Sequence, residues 1–183
     1  MPTPSAMLPL GTLAPDFKLP DTVSDRVLSL EQVRGAKATV VMFTCNHCPY
    51  VKHVEGEMVR LASDYQPRDV GFVAISSNDV TRYPEDGPAE MAEVARQQGY
   101  TFPYLYDESQ EVARAYSAAC TPDFYVFNEQ LRCVYRGRLD DSTPGNKKPL
   151  SGADLRAALD AVLANEVVAA DQFPSYGCSI KFR

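Results

Sequence analysis

One stretch constrains this chain more than any other. Ala38-Thr39-Val40-Val41-Met42-Phe43 runs uncharged and unalternating, then leads through Thr44 into Cys45-Asn46-His47-Cys48-Pro49. A half-exposed strand would alternate apolar with polar, so this run reads as a strand buried on both faces. Beyond it, Val51, Val54, Met58, Leu61 and Ala62 recur at helical spacing as far as about Tyr65. Pro49 suits the first turn of such a helix, where its missing N–H costs nothing. After the break at Gln66-Pro67-Arg68-Asp69, a second buried strand is expected over residues 70–76. Strand, helix and strand in this order make a parallel pair with a right-handed crossover. Two cysteines with two residues between them therefore fall where a buried strand ends and a helix begins.

The flanking sequence extends this unit. Phe17-Lys18-Leu19 and Val27-Leu28 predict a short hairpin, and residues 30–34 a single helical turn. Residues 83–88 read as a loop whose acids, Glu85 and Asp86, form a solvated face. A helix over 89–98 is stopped by Gly99. A strand is expected over 102–106 and a helix over 108–116. Strands over 123–127 and 131–136 are joined by the turn Asn128-Glu129-Gln130. After a polar loop, a last helix starts at Ser151 with Asp154 as its capping partner and Leu155, Leu159 and Leu163 on one stripe. About twenty residues remain as an irregular tail. The order is that of an α/β thioredoxin fold: a central mixed sheet flanked by helices, with an N-terminal hairpin and an extra helix inserted. The organisation expected is an extension over 1–13, one domain over 14–164 and a tail over 165–183.

The chemistry expected of this arrangement is redox. At a helix N-terminus, unpaired N–H groups and the positive end of the dipole favour a thiolate, the species that attacks disulfides. Cys45 is expected to be the more exposed sulfur and the attacker, and Cys48, a turn further in, the resolving thiol. Asn46 and His47 lie between them and are the residues expected to tune them, His47 through a partly charged imidazole. Further along, Cys120-Thr121-Pro122-Asp123 precedes a strand. A cis proline there would set the Thr121 backbone beside Cys45, free to pair with a bound peptide strand, which makes Thr121 and Pro122 substrate-binding candidates. Cys133 alternates with Tyr135 and reads as core. Cys120 and Cys178 are candidate extra thiols. Tyr100, Tyr104 and Tyr106 read as core and edge packing.

These residues carry a family resemblance. Ala14-Pro15-Asp16-Phe17-Lys18-Leu19 resembles the opening motif of the redoxin branch of the thioredoxin superfamily, the alkyl hydroperoxide reductase/thiol-specific antioxidant group. Phe43-Thr44-Cys45-Asn46-His47-Cys48-Pro49 sits where that group keeps its redox centre, and Thr121-Pro122 where thioredoxin-like proteins keep a cis proline. The resemblance covers about residues 14–164. The segment Pro174-Ser175-Tyr176-Gly177-Cys178-Ser179-Ile180-Lys181 is similar to the tail of a bacterial subgroup. It implies a thiol–disulfide oxidoreductase working through a Cys45/Cys48 couple, with a thiol-dependent peroxidase as the alternative. Three departures matter. Thr39 stands where minimal thioredoxins bury an acid, so the proton acceptor for Cys48 is unassigned, and Thr44 stands where they carry Trp. A peroxidase would want Thr three residues before its reactive cysteine; Met42 precedes Cys45 by three, and Cys45 precedes Cys48 by three.

Bulk properties narrow the partners. The chain has 18 basic and 24 acidic residues, a net charge of -6, and no basic cluster, which argues against nucleic acid. No apolar run is long enough to span a membrane, and Met1 to Pro9 lacks the basic and apolar regions of a signal peptide, so the cytoplasm is the expected location. Thiols are kept reduced there, and five cysteines cannot all pair within one chain. The expected partners are a disulfide-containing protein or a small thiol or peroxide substrate, with a cellular reductant. A metal carrier using Cys45, Cys48 and either His53 or Cys120 is the weakest reading, because structural zinc usually brings a second spaced pair and none exists. No metal and no cofactor are expected.

Overall fold

The computed structural model describes residues 1–183. In chain order, the elements are β1 (Thr3–Pro4), β2 (Lys18–Pro20), β3 (Val27–Ser29), α1 (Leu30–Val33), β4 (Ala38–Phe43), α2 (Pro49–Tyr65), β5 (Val70–Ser76) and α3 (Pro88–Gln98). There follow β6 (Tyr104–Tyr106), α4 (Glu111–Ala115), β7 (Cys120–Thr121), β8 (Asp123–Asn128), β9 (Cys133–Gly137), α5 (Ala153–Leu163) and β10 (Tyr176–Ser179). The main sheet has five strands in the order β6-β5-β4-β8-β9. Strands β4, β5 and β6 are mutually parallel, and β8 and β9 run antiparallel, with a bulge between Val126 and Phe127.

Strand β4 lies at the centre, and all six of its residues are buried. Its side chains alternate between two cores. Ala38, Val40 and Met42 join Met58, Leu61 and Leu159 beneath α2 and α5. Val41 and Phe43 join Tyr116, Tyr125 and Phe127 on the opposite face. Helix α2 buries Val51, Val54, Met58, Leu61 and Ala62, the stripe seen in the sequence. Each full-size apolar side chain among them contributes about 1.5–3 kcal/mol by leaving water. This two-sided anchoring holds the strand end and the helix start in fixed relation, which positions the Cys45–Cys48 loop.

Four expectations are corrected. Helix α4 is short because Gln110 takes a left-handed conformation (φ 66°), and the turn before it is held instead by the buried Asp107. Asp107 accepts from Ser77 Oγ at 2.7 Å and from the Ala113 N–H at 3.0 Å. Asp154 does not cap α5; it pairs with Arg138 Nε at 2.5 Å. The carboxylate serving that helix start is Asp140, which accepts from the N–H groups of Ser151 (2.8 Å) and Gly152 (2.7 Å). The tail is not irregular throughout: β10 lies between β1 and β7 in a small antiparallel sheet. Asp86 is not solvated; it is fully buried, for a reason that belongs to the site.

Candidate active site

Cys48 is the N-cap residue of α2, with Pro49 at its first position. Cys45 and Cys48 pack together in a small cluster with Val51, against which Tyr50 and Cys178 pack. The Thr121–Pro122 peptide is cis, and the Thr121 backbone and hydroxyl lie against both thiols. Cys45 Sγ is 3.3 Å from Thr121 Oγ1, and Cys48 Sγ is 3.5 Å from the Thr121 carbonyl oxygen. A third sulfur completes the group: Cys178 Sγ lies 2.6 Å from Cys48 Sγ. All five cysteines are free thiols.

Two features of the expected site differ. Neither sulfur is exposed, Cys45 being 1% accessible and Cys48 0%. Nor does Cys45 hold the acidity. The hydrogen bond from Cys45 is the largest influence on Cys48 and outweighs the penalty of burial. Cys178 and the backbone N–H groups of Val51 and Cys178 add to it, and the Cys48 thiol is lowered to about 5. The influence of the adjoining Cys48, then burial and the nearby Asp86 charge, hold Cys45 well above the ordinary thiol range. Burial and the bond to Cys48 push Cys178 up to about 12. Within this group acidity is drawn toward Cys48 and away from Cys45 and Cys178.

Asp86 is the residue that sequence reasoning missed. The N–H groups of Asn46 (2.8 Å) and His47 (3.3 Å) donate to its Oδ1, and Asn78 Nδ2 donates to its Oδ2 at 2.8 Å. His47 Nδ1 lies 2.5 Å from the same Oδ2. No sequence signal marked it: the N–H groups it serves precede the helix, and Pro84-Glu85-Asp86-Gly87-Pro88 reads as an exposed turn. Asn46 is fixed further by Tyr104, whose hydroxyl donates to Asn46 Oδ1 at 2.9 Å, so this tyrosine does more than pack. The His47 ring stacks on Tyr83, with centroids 5.6 Å apart.

Other candidates fall outside this centre. His53 pairs with Ser142 Oγ at 2.8 Å and is not among the donors grouped around Cys45. Cys120 is buried beside the tail, and burial, then the Asp123 charge, push its thiol far up. Cys133 is buried in the core, as its alternation implied. Donor atoms of Cys45, His47 and Asp86 lie within 4.8 Å of one another, but the Asp86 oxygens already serve Asn46, His47 and Asn78, so they are poor metal ligands as placed.

A mixed sheet of this order, with two thiols at the start of the helix after its central strand and a cis proline opposite them, defines a thioredoxin-like redoxin. Residues 10–136 match the AhpC/TSA family, and the chain belongs to it. An uncharacterized conserved protein from Geobacillus kaustophilus is 57% identical, with a TM-score of 0.99 over 100% of this chain and 97% of that one. A hypothetical protein from Sinorhizobium meliloti 1021 is 44% identical, with a TM-score of 0.96 over 99% of this chain and 98% of that one. A thiol:disulfide interchange protein of the thioredoxin family from Chlorobium tepidum TLS shares the fold at 20% identity, with a TM-score of 0.64 over 86% and 99% of the two chains. No curated protein matches the sequence. No helix is long and apolar enough to cross a membrane.

Proposed function

We propose that this protein is a thiol–disulfide oxidoreductase whose working couple is Cys45 and Cys48. The observation that carries the reading is the packing of these two sulfurs at the start of α2 against Thr121 at the cis proline, Cys45 Sγ 3.3 Å from its hydroxyl and Cys48 Sγ 3.5 Å from its carbonyl oxygen, with acidity drawn toward Cys48. A thiolate at ordinary pH beside a protonated partner is poised for exchange: one sulfur attacks a disulfide, and the other displaces it from the mixed disulfide. The acidities assign attack to Cys48 and resolution to Cys45, the reverse of the order the sequence suggested. Thr121 contributes through its hydroxyl, which pulls the Cys45 thiol back toward acidity, and Pro122 fixes the turn that brings it there. Asp86 orients the Asn46–His47 segment so that both sulfurs stay in reach.

The test is equilibration against defined mixtures of oxidised and reduced glutathione, with the bridge mapped by mass spectrometry. The expected result is a two-electron transition that ends in a Cys45–Cys48 disulfide. Its absence across the whole range, or a bridge that never includes Cys45, sinks the reading.

A further inference from the structure

The tail strand occupies the place beside Thr121 that a bound peptide strand would take. Strand β10 runs antiparallel to β7 with Cys178 opposite Thr121 and Ser179 opposite Cys120. The fit is close enough to demand glycine at position 177, where a β-carbon would stand 1.8 Å from the Thr121 carbonyl oxygen. Nor is this strand a loose flap. The Ile180 N–H donates to Ala119 O at 3.0 Å and the Lys181 N–H to Asn78 Oδ1 at 2.8 Å, while Lys181 O accepts from the Asp79 N–H at 2.8 Å. Cys45 and Cys48 are sealed beneath it, and Cys178 is the half-buried sulfur of the three. A disulfide arriving from solvent therefore meets Cys178 before it can touch the buried couple.

We infer that Cys178 is the substrate-contacting thiol of a three-sulfur relay, exchanging with an external disulfide and passing the oxidation inward to Cys48 and Cys45. This rests on the couple proposed above. In the first step, Cys178 gives its proton to solvent and attacks the disulfide R–S–S–R. A Cys178–SR bond forms and RS⁻ leaves. Next, the departed RS⁻ recovers that proton from solvent, and Cys48, as its thiolate, attacks Cys178 Sγ; a Cys48–Cys178 bond forms and the second RS⁻ leaves. Lastly, Cys45 attacks Cys48 Sγ, its proton passing to Cys178, which is released as a thiol. Two electrons have moved from the Cys45 and Cys48 sulfurs to the substrate, which departs as one thiol and one thiolate. The 2.6 Å separation of Cys48 and Cys178 lets the middle step proceed without moving the strand.

Two measurements test the relay. The first uses Cys48→Ser, which blocks the second step, treated with 5,5′-dithiobis(2-nitrobenzoate) and mapped by mass spectrometry. The relay expects the mixed disulfide on Cys178; an adduct on Cys45 overturns it. The second uses Cys178→Ser, assayed for reduction of insulin disulfides and for its own internal bridge. The expected result is a Cys45–Cys48 bridge that still forms on equilibration with glutathione and an insulin rate reduced at least about tenfold. A retained bridge with an undiminished rate overturns the relay and leaves the couple standing. Loss of the bridge in both this variant and the wild type overturns the couple and the relay together.

Discussion

The start of α2 and the start of β9 each hold a sulfur shut away from water, and the two are driven in opposite directions. Cys48 is lowered to about 5, while Cys133 is pushed up to about 11. Burial acts upward on both. At Cys133 it dominates, because the Arg136 charge and the Tyr135 backbone offer only partial relief. At Cys48 it is overruled by hydrogen bonds from a neighbouring thiol, a tail thiol and two backbone N–H groups. Burial alone therefore does not say whether a cysteine is inert; the donors aimed at it do.

The sharpest way to break this contrast is to read acidity directly. Alkylation of Cys48 should rise through about pH 5 and that of Cys133 through about pH 11, each followed by mass spectrometry. At neutral pH their thiolate fractions then differ by about four orders of magnitude. A common midpoint would abolish the distinction. Next in size is function. Cys48→Ser should reduce disulfide turnover by about a thousandfold or more, whereas Cys133→Ser should stay within about twofold of wild type.

Below these lies the scaffold of the acidic site. Asp86→Ala leaves several buried donors around Asn46 and His47 without an acceptor and should destabilise the fold by about 2–4 kcal/mol in a urea titration. Asp86→Asn keeps one acceptor oxygen and should cost less. The last expected effect is a pH slope. Cys48, depressed in the folded state, stabilises fully above its unfolded value, and that contribution is lost as pH falls through about 5. Asp123 is raised to about 8 by burial, so what it contributes is present below the ordinary carboxylate range and lost as pH rises to about 8. The two oppose each other between about pH 5 and 8. Asp123→Asn should unmask a stability that climbs with pH across that window, read from urea midpoints; an unchanged profile would show that Asp123 is not the counterweight.

What the sequence disclosed follows the reach of the forces involved. Strand β4 and helix α2 match their expected limits because a run of buried residues and a helical stripe are local patterns. The Cys45–Cys48 loop was legible for the same reason. Asp86 was not, since Pro84-Glu85-Asp86-Gly87-Pro88 has the composition of any exposed turn; its burial comes from Asn46, His47 and Asn78, which lie elsewhere in the sequence. Strand β10 was missed because backbone pairing to Thr121 leaves no periodic mark on Tyr176 to Ser179. The acidity was assigned to Cys45 from helix position and the neighbouring His47, and an influence the sequence did not show was Cys178, far away along the chain.

The third sulfur is steadied from an unexpected quarter. Across from Cys178's strand, Thr3 pairs with Gly177 and Pro4 with Tyr176, and Ser5 trades two bonds with Ser175. The first residues of the chain thus act as a splint for a reactive atom near its last. Amide hydrogens at Ser5 and Ile180 should exchange on a common clock, and fraying at one terminus would blur the aim of a thiol carried by the other.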